Sequence, residues 1–390
     1  MGAFLLDYLS LLGRFLHLIT GIAWIGASFY FVWLDNHLVG GELWAVHGGG
    51  FYHAQKYRLA PPVLPGTLHW FYWEAYSTFL SGAFLLVLLY YVHAEVYLID
   101  ARVAALSKLQ AIGIGVGFIV GGWLIYDALC RSPLRNLNSG LGWLLGSLFG
   151  AAAFALCRLF SGRGAFIEFG AMLGTVMVAN VFFVIIPGQR QMVQALREGR
   201  EPDPQAGARG KQRSVHNTYF TLPVLFTMIS NHYAVTFAAR YNWLVLIALS
   251  AAGVLIRVYF VQRHRPGPSG KTPPWALVLG SSIIAATAVA LAPPIKGPSA
   301  SENPPQSEFG TVRRIVGLRC VPCHAAVPTQ PGFTTAPKGV VLDSPEALLA
   351  QVLTVGPQVA TRAMPIGNLT QMTDAERQTL LDWIQRGAPR

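Results

Sequence analysis

Eight long apolar stretches limit what this 390-residue chain can fold into. Each is long enough to form a helix across a hydrocarbon core of about 30 Å, which takes about 20 residues. Only 12% of the residues are charged and 53% are hydrophobic, unlike an ordinary soluble domain. We therefore predict an all-α, polytopic bundle of eight transmembrane helices. Their ranges are roughly 4–34, 70–93, 106–130, 141–158, 165–187, 218–238, 242–262 and 275–293.

The positions of the basic residues predict an orientation for this bundle. The 29 Lys and Arg residues exceed the 18 Asp and Glu residues, but they lie in short loops, which argues against nucleic acid as a partner. Thirteen of them follow helices one, three, five and seven, whereas five follow or flank helices two, four and six. The positive-inside rule then places both termini on the outer side. The N-terminus lacks a basic region and a cleavage site, so we expect the first helix to be retained.

The composition changes after the last apolar stretch. The segment PPIKGPSASENPPQSE is rich in Pro, Ser and charged residues, which predicts a linker. We expect the bundle to occupy residues 1–293, the linker 294–307 and a soluble domain 308–390. The predicted orientation places this last domain in the periplasm or its equivalent.

The soluble domain contains the sequence RCVPCH, in which Cys320 and Cys323 are followed directly by His324. Two thiols at this spacing add to the two vinyl groups of one haem, and the adjacent imidazole becomes an axial iron ligand. A redox dithiol would normally accompany a βαβ pattern, which is absent, and zinc would need a second pair of ligands. The motif therefore predicts a covalent haem c.

The residues around the motif predict a small class I cytochrome c domain. Helical apolar spacing precedes the motif in SEFGTVRRIVGL, and TDAERQTLLDWIQRGA combines the N-cap Thr373 with an amphipathic helix. His324 is the only histidine of the domain, so the sixth iron ligand should be a methionine. We prefer Met364 because Pro365 stiffens the chain that presents it, whereas Met372 lies beside the helix cap. A Met ligand raises the haem potential, which suits an electron acceptor.

Ionisable residues within the predicted spans are costly to bury, so each is a functional candidate. His17 and His232 fall at similar depths in the outer half of the bilayer, on different helices. Two such imidazoles could bind a haem b between them, and Arg14, one turn from His17, could neutralise a propionate. The alternative is that each histidine forms a hydrogen bond with a neighbouring helix.

A second group of polar residues is predicted on the inner side, namely His69, Glu74, His216 and Arg257, with His53 in the preceding loop. The sequence LPGTLHWFYWEAYSTFLSG around two of them is dense in Trp and Tyr. These aromatic residues could form an interfacial belt, with the charges reaching water. A planar, anionic substrate would instead use aromatic faces, an Arg fork and a base, which this group could supply.

Four segments together resemble a known family: GRFLHLITGIAWIGASFYFVWLDN, LHWFYWEAYSTFLSG, HNTYFTLPVLFTMISNHY and the tail from CVPCH to RAMPIGNLTQMTDAERQTLLDWIQRGA. They resemble the bacterial membrane-bound, cytochrome c-linked urate oxidase (urate hydroxylase) family. The resemblance covers nearly the whole length, in the order of an eight-helix domain followed by a cytochrome c. His17 with Trp24 and Gly26 also looks like the pattern of other small membrane families that bind haem b.

The resemblance implies oxidation of urate to 5-hydroxyisourate, a step of purine catabolism, at the bacterial inner membrane. Electrons would pass to the cytochrome domain and then to a soluble cytochrome c or a terminal oxidase, so no peroxide is expected. On this interpretation His69 or Glu74 takes the proton or orients the water, Arg257 holds the urate anion, and His216 completes the catalytic group. His17 and His232 would carry the electron relay.

Two other functions remain open at this level. A quinol to cytochrome c oxidoreductase would use the same two histidines for a haem b and would not react with urate. A non-catalytic, membrane-anchored electron carrier would use its helices only as an anchor, although one helix would be enough for that.

Overall fold

The computed structural model describes residues 2–57, 60–136, 139–263, 274–292, 307–331, 333 and 335–390, and it is built almost entirely from helices. The helices of the N-terminal bundle are α1 (Gly2–His37), α2 (Trp73–Leu85), α3 (Ala94–Tyr97), α4 (Lys108–Arg131), α5 (Ser139–Leu159), α6 (Gly162–Asn180), α7 (Ile186–Arg197), α8 (Pro204–Ser230), α9 (Ala234–Phe237), α10 (Asn242–Gln262) and α11 (Trp275–Leu291). π-Helical turns extend α2 through Leu86–Tyr91 and join α6 to α7 through Val181–Ile185. One hairpin, β1 (Glu42–His47) and β2 (Gly50–Gln55), follows α1.

The C-terminal tail forms five further helices. They are α12 (Ser307–Arg319), α13 (Val321–His324), α14 (Pro345–Ala350), α15 (Val352–Ala360) and α16 (Asp374–Gln385). Short 3-10 turns lie at Pro133–Asn136 in the bundle and at Pro337–Gly339 and Ile366–Asn368 in the tail. The predicted linker, apart from the first residue of α12, lies outside the described residues.

Helices occur at all eight predicted spans, but not all of them have the expected length and polarity. Within the described residues, six helices are long and apolar enough to cross a membrane. The helix predicted at 218–238 instead runs over Pro204–Ser230, because a charged, amphipathic segment adds turns before the apolar part. The chain then turns and forms the separate helix α9. The last span, α11, has 17 residues and is shorter than the others.

Helix α6 lies at the centre of the bundle, in contact with α2, α4, α5 and α8. Most of its side chains are buried, and large apolar ones such as Phe166, Phe169 and Met172 form the main core. Helix α1 packs mainly on α2, and α10 packs between α8 and α11. The bundle therefore surrounds one buried helix, and close packing of its side chains against the neighbouring helices holds the layers together.

The tail has an apolar core of its own. Helix α16 contacts both α12 and α15, and the buried side chains of the three helices include Val316, Val359, Leu380 and Trp383. Helix α16 begins with a capping box, in which Thr373 and Glu376 each bond the other's backbone N–H. The two flanking helices predicted around the Cys-x-x-Cys-His motif are thus present and pack together.

The tail contacts the bundle through the turn at Ile366–Asn368, which packs on α3. A Cβ at Gly367, whose φ is +54°, would lie 3.4 Å from the carbonyl oxygen of Ile99 and 3.6 Å from that of Val96. We call the end of the bundle that carries this contact the outer end, and the opposite end, where α1 finishes at His37, the inner end. The bundle and the tail therefore meet at one defined face.

Candidate functional site

The Cys-x-x-Cys-His motif lies where α12 passes into α13. Cys320 is the residue before α13, and Cys323 and His324 are its last two residues. The Nδ1 atom of His324 lies 2.8 Å from the carbonyl oxygen of Val340, which can only accept a hydrogen bond. Nδ1 therefore carries the proton, and the lone pair of Nε2 is available for a metal.

The two thiols are not poised for free redox chemistry. Burial raises the pKa of the Cys320 thiol to about 12. Burial also raises the pKa of the Cys323 thiol above its ordinary value. Since the thiolate is the reactive form of a redox dithiol, protonated thiols disfavour that alternative. They are compatible with thiols that are joined to a haem.

The structure separates the two methionines of the tail. Met372 is 3% exposed and belongs to the apolar core of the tail. Met364 is half-buried and lines the same cavity as Cys320, Cys323 and His324. Of the two thioethers, only that of Met364 therefore shares a cavity with the motif. These four residues fit the donor set of a c-type haem with His and Met axial ligands.

Two arginines connect the Met364 loop and the Cys-x-x-Cys-His motif to helix α16. Arg377 is buried, and its Nη1 donates to the carbonyl oxygens of Val359, at 2.7 Å, and Met364, at 2.8 Å. Its Nε and Nη2 have no partner among the described residues. Arg319, directly before Cys320, pairs with Glu376 at 3.0 Å, and this pair holds the pKa of the Glu376 carboxyl below its ordinary value. The motif and the Met364 loop are thus both tied to α16.

A cavity of about 1060 Å³ extends from the tail into the outer half of the bundle. On the tail side its walls include the four haem-ligand candidates. On the bundle side they come from α1, α2, α6 and the end of α8, and they reach Trp24 and Met177 near mid-bundle. We call this space the outer cavity. It is continuous between the two parts of the chain.

Both histidines predicted in the outer half line this cavity. Nδ1 of His17 lies 3.0 Å from the carbonyl oxygen of Thr78 and 3.0 Å from Oγ of Ser81, both on α2. His232 lies in the turn between α8 and α9, and its ring forms no hydrogen bond within the described residues. Arg14, also predicted here, lines the cavity together with Arg163, which the sequence analysis did not single out.

The inner half contains a buried cation that no acid among the described residues neutralises. Arg257, on α10, is 1% exposed, and its Nε donates to the carbonyl oxygen of Thr218 at 3.3 Å. Its guanidinium lies 3.8 Å above the ring of Phe29 on α1, and its Nη2 has no hydrogen-bond partner among the described residues. A buried guanidinium with a donor to spare is suited to bind an anion.

Two other inner candidates differ in how they are held. Glu74, in the first turn of α2, has its Oε2 buried without a partner in the described part of the chain. Around it Tyr72, Trp73 and Tyr76 have ring centroids 5.3 to 6.1 Å apart. His69 is exposed, and its ring meets Phe71 edge to face at 4.6 Å. No hydrogen bond or ion pair joins His69, Glu74 or Arg257 to one another in the described residues.

His216 belongs to a buried polar network between α4, α6 and α8. Its Nδ1 lies 2.8 Å from the Tyr126 hydroxyl, to which Asn180 donates at 3.0 Å. Asn180 also donates to Asn217, and Arg213 pairs with Asp127 on α4 at 2.7 Å. His216 was predicted from the sequence but this network was not, because the residues of α4, α6 and α8 that form it come together only when the helices pack.

Glu168 was not predicted from the sequence, and His53 lies in the segment between the first two spans, as predicted. Glu168 is fully buried on α6, its Oε1 has no partner among the described residues, and Tyr91 donates to its Oε2 at 3.5 Å. A lone Glu in the apolar run AFIEFGAM was a visible signal. His53 lies in β2, where it pairs with Glu42 at 2.6 Å and stacks on Trp44. It therefore belongs to the hairpin.

The comparison with protein families gives one match. The family described as Urate oxidase N-terminal matches residues 3–292, which is most of the chain. The chain belongs to this family. The match covers the helical bundle and ends before the tail with the Cys-x-x-Cys-His motif. The comparisons with curated proteins and with solved structures found no match. Membership of a urate oxidase-related family indicates an oxidoreductase that acts on urate.

Proposed function

We propose that this protein is a membrane-bound urate oxidase that forms 5-hydroxyisourate in the bundle and passes the electrons to a haem c in its own tail. The observation that carries the proposal is the combination of a family match over residues 3–292 with a haem-attachment motif whose residues share a cavity with the matched bundle. The family match supports urate as the substrate, and the Cys-x-x-Cys-His motif supports a haem c as the electron acceptor.

The tail residues have the chemistry needed for the acceptor. Cys320 and Cys323 would attach the haem, and His324 and Met364 would bind the iron from its two sides. When bound, such a haem accepts one electron at a time at a potential that the Met ligand raises. Two electrons must therefore leave in succession for each urate oxidised.

The reaction balances without oxygen as a reactant. Urate and water give 5-hydroxyisourate, two electrons and two protons. Loss of both electrons and one proton leaves an electron-deficient ring carbon, to which the oxygen of water adds as the second proton departs. Because the electrons leave through the tail, no peroxide is formed.

In the bundle, two of the proposed catalytic residues, Arg257 and Glu74, have polar atoms that no described residue bonds, whereas His69 is exposed and His216 belongs to a buried polar network. The guanidinium of Arg257 would bind the urate anion through Nη2, which has no partner in the described residues. The carboxylate of Glu74 would accept the proton through Oε2, with the aromatic cluster Tyr72, Trp73 and Tyr76 facing the purine ring. His69 would orient the attacking water from the exposed loop before α2. His216, held by Tyr126, would relay the released proton through the polar network.

The proposed location is the bacterial inner membrane, with both termini and the tail in the periplasm. The six helices that are long and apolar enough to span a bilayer support this location, as does the distribution of basic residues. A periplasmic tail would deliver its electrons to a soluble cytochrome c or to a terminal oxidase.

A competing function uses the same cavity differently. The paired histidines of the outer cavity would also suit a quinol to cytochrome c oxidoreductase. An anaerobic stopped-flow experiment on the purified, oxidised protein separates the two functions. Urate alone should reduce the haem c, with 5-hydroxyisourate formed at one molecule per two electrons.

A quinol should reduce the haem much more slowly than urate does. Reduction by quinol and not by urate would contradict the proposal and support the competing function. Reduction by neither would indicate an electron carrier without a catalytic site. Allantoin, which is not a purine and lacks the oxidisable ring, serves as the negative control for urate.

A further inference from the structure

His17 has the hydrogen-bonding pattern of a metal ligand, although it lies far from the Cys-x-x-Cys-His motif in sequence. The carbonyl of Thr78, 3.0 Å away, can only accept, so the proton of the His17 ring is on Nδ1. The Ser81 hydroxyl, which donates to the Ser77 carbonyl at 2.7 Å, further fixes the ring from the same side. The unprotonated Nε2 is left on the opposite edge of the ring, and His17 lines the outer cavity.

The tail offers an internal comparison for this pattern. His324, the axial ligand expected from the motif, is also held by Nδ1 on a backbone carbonyl, that of Val340, at 2.8 Å. Both imidazoles line the same cavity. A histidine that serves only as a helix-to-helix hydrogen bond would not need an Nε2 edge beside a space of about 1060 Å³.

The second histidine, His232, lies at the end of α8 and lines the cavity on the bundle side. Its backbone is fixed by a hydrogen bond from its N–H to Ile229, and its neighbour Asn231 accepts from the Tyr90 hydroxyl at 2.9 Å. Its ring has no hydrogen-bond partner in the described part of the chain. The ring is therefore free to bind a ligand at a position that the backbone has already fixed.

The walls between the two histidines suit a flat, partly anionic group. Glycines at positions 21, 82 and 174 line the cavity among apolar side chains such as Leu86, Ile119 and Leu225. A Cβ at Gly82 would lie 2.9 Å from Cε1 of His17, so glycine there allows the imidazole to lie against α2. Arg14 and Arg163 line the same space and could pair with two carboxylates.

We infer that the bundle holds a non-covalent haem b, with His17 and His232 as axial ligands and Arg14 and Arg163 at its propionates, inside the cavity that the tail closes. Its iron takes up one electron and gives up one electron in each transfer, and no bond is formed or broken. The site itself does not depend on the identity of the substrate. Its role as a relay from urate to the haem c rests on the proposed function.

The test begins with the haem content of the purified, full-length protein. A pyridine haemochrome spectrum should show one haem b for each haem c, without any urate present. His17→Ala and His232→Ala should each lose the haem b and keep the covalent haem c, which also reports that the chain has folded and been exported. A haem c spectrum with no haem b in the native protein would overturn the inference.

Two further variants make the ligand assignment specific. Met228 lines the cavity one turn before His232, so Met228→Leu should leave the haem b and its low-spin bis-histidine spectrum unchanged. If Met228→Leu, and not His232→Ala, changed the axial ligation, the assignment of His232 would be wrong. Imidazole added to His17→Gly should restore the low-spin spectrum if the cavity is intact. Retention of a native haem b by that variant without imidazole would contradict the role of His17.

The experiment also separates this inference from the proposed function. If haem b is present and is reduced by a quinol but not by urate, the haem b site is supported and urate is excluded as the substrate. If haem b is absent and urate still reduces haem c, the haem b site is excluded and urate is supported as the substrate. Ser81→Ala tests positioning, because it should shift the haem b potential while the haem b content stays at one per chain.

Discussion

The outer and inner ends of the bundle differ in which polar atoms have no hydrogen-bond partner among the described residues. At the outer end, His17 lines a cavity of about 1060 Å³, and no described residue bonds its Nε2. At the inner end, Arg257 and Glu74 have buried polar atoms without partners in the described residues. Imidazole lone pairs bind metals, whereas a guanidinium and a carboxylate bind anions and protons. On the proposed function, electrons would move at the outer end, and substrate and proton would be handled at the inner end.

The largest effect should come from Glu74, if the inner end is where the proton is removed. Glu74→Gln keeps the shape and removes the base, and general bases contribute about 10²- to 10⁴-fold. We expect urate turnover to fall by about that factor while the haem content stays unchanged. The control is Glu95→Gln, an exposed glutamate at the outer end that pairs with Lys108 at 3.5 Å. Equal losses in the two variants would show that Glu74 has no special role.

The next largest effect should come from Arg257. Arg257→Gln removes the buried cation, and loss of a charged hydrogen bond to substrate should lower kcat/KM for urate by about 10²- to 10³-fold. Arg257→Lys keeps the charge but loses the fork and should be intermediate. The exposed Arg240, which stacks on Tyr241, supplies the matched control Arg240→Gln. Normal binding and oxidation of urate by Arg257→Gln would contradict the claim that the inner end binds the substrate.

A third prediction concerns the tail side of the outer cavity. Arg377→Met removes the two N–H···O bonds to the Val359 and Met364 carbonyls and should release Met364 from the iron. The haem c potential should then fall by on the order of 100 mV, since the Met ligand raises it. A redox titration with the near-infrared band of Met-ligated ferric haem measures both changes. Arg390→Met, at an exposed pair with Glu346, should change neither, and an unchanged Arg377→Met would exclude a positioning role.

The smallest effect should be on stability, through Glu376. Its pKa is lowered by Arg319 first and by the helix cap, so the ion pair stabilises the folded tail above the ordinary pKa of 4.5. That stabilisation is lost as the pH falls through the lower, folded-state pKa. Glu376→Gln should cost about 1 kcal/mol at neutral pH and much less in acid.

Thermal unfolding followed by circular dichroism of the haem c band measures this difference at two pH values. Glu346→Gln, an exposed glutamate paired with Arg390, is the control and should leave the unfolding temperature unchanged. A Glu376→Gln variant that is destabilised equally at neutral and acid pH would show that the effect does not come from the charge.

The sequence predicted the helices well because apolar runs of about 20 residues have few other structures available. It failed where a helix is polar. The first half of α8 carries Arg213 and His216 among other polar residues, so hydropathy alone missed about four turns of it. The hairpin was missed although the Gly48–Gly49 pair, with φ of +59° and +79°, joins two alternating segments and is a known turn signal.

The candidate site was predictable to different degrees at its two ends. The proposed haem c ligands were visible in the sequence because covalent attachment requires a fixed spacing, and of the two methionines of the tail Met364 is the one that lines the cavity with His324. The depth of His17 and His232 was visible too, but the Nδ1 contact with Thr78 and the role of Arg163 depend on how helices pack. No spacing rule connects Tyr126, Asn180 and Arg213, which come together only when three helices are assembled.

The most direct test of the account is the fate of the electrons when the tail cannot hold its haem. Cys320→Ser combined with Cys323→Ser should abolish covalent haem c and leave the bundle and its Arg257 site intact. With air as the only oxidant, the membranes of the native strain should convert urate to 5-hydroxyisourate without peroxide. The variant should bind urate and form no product. Product formed by the variant at the native rate would contradict the central claim that urate is oxidised through the tail.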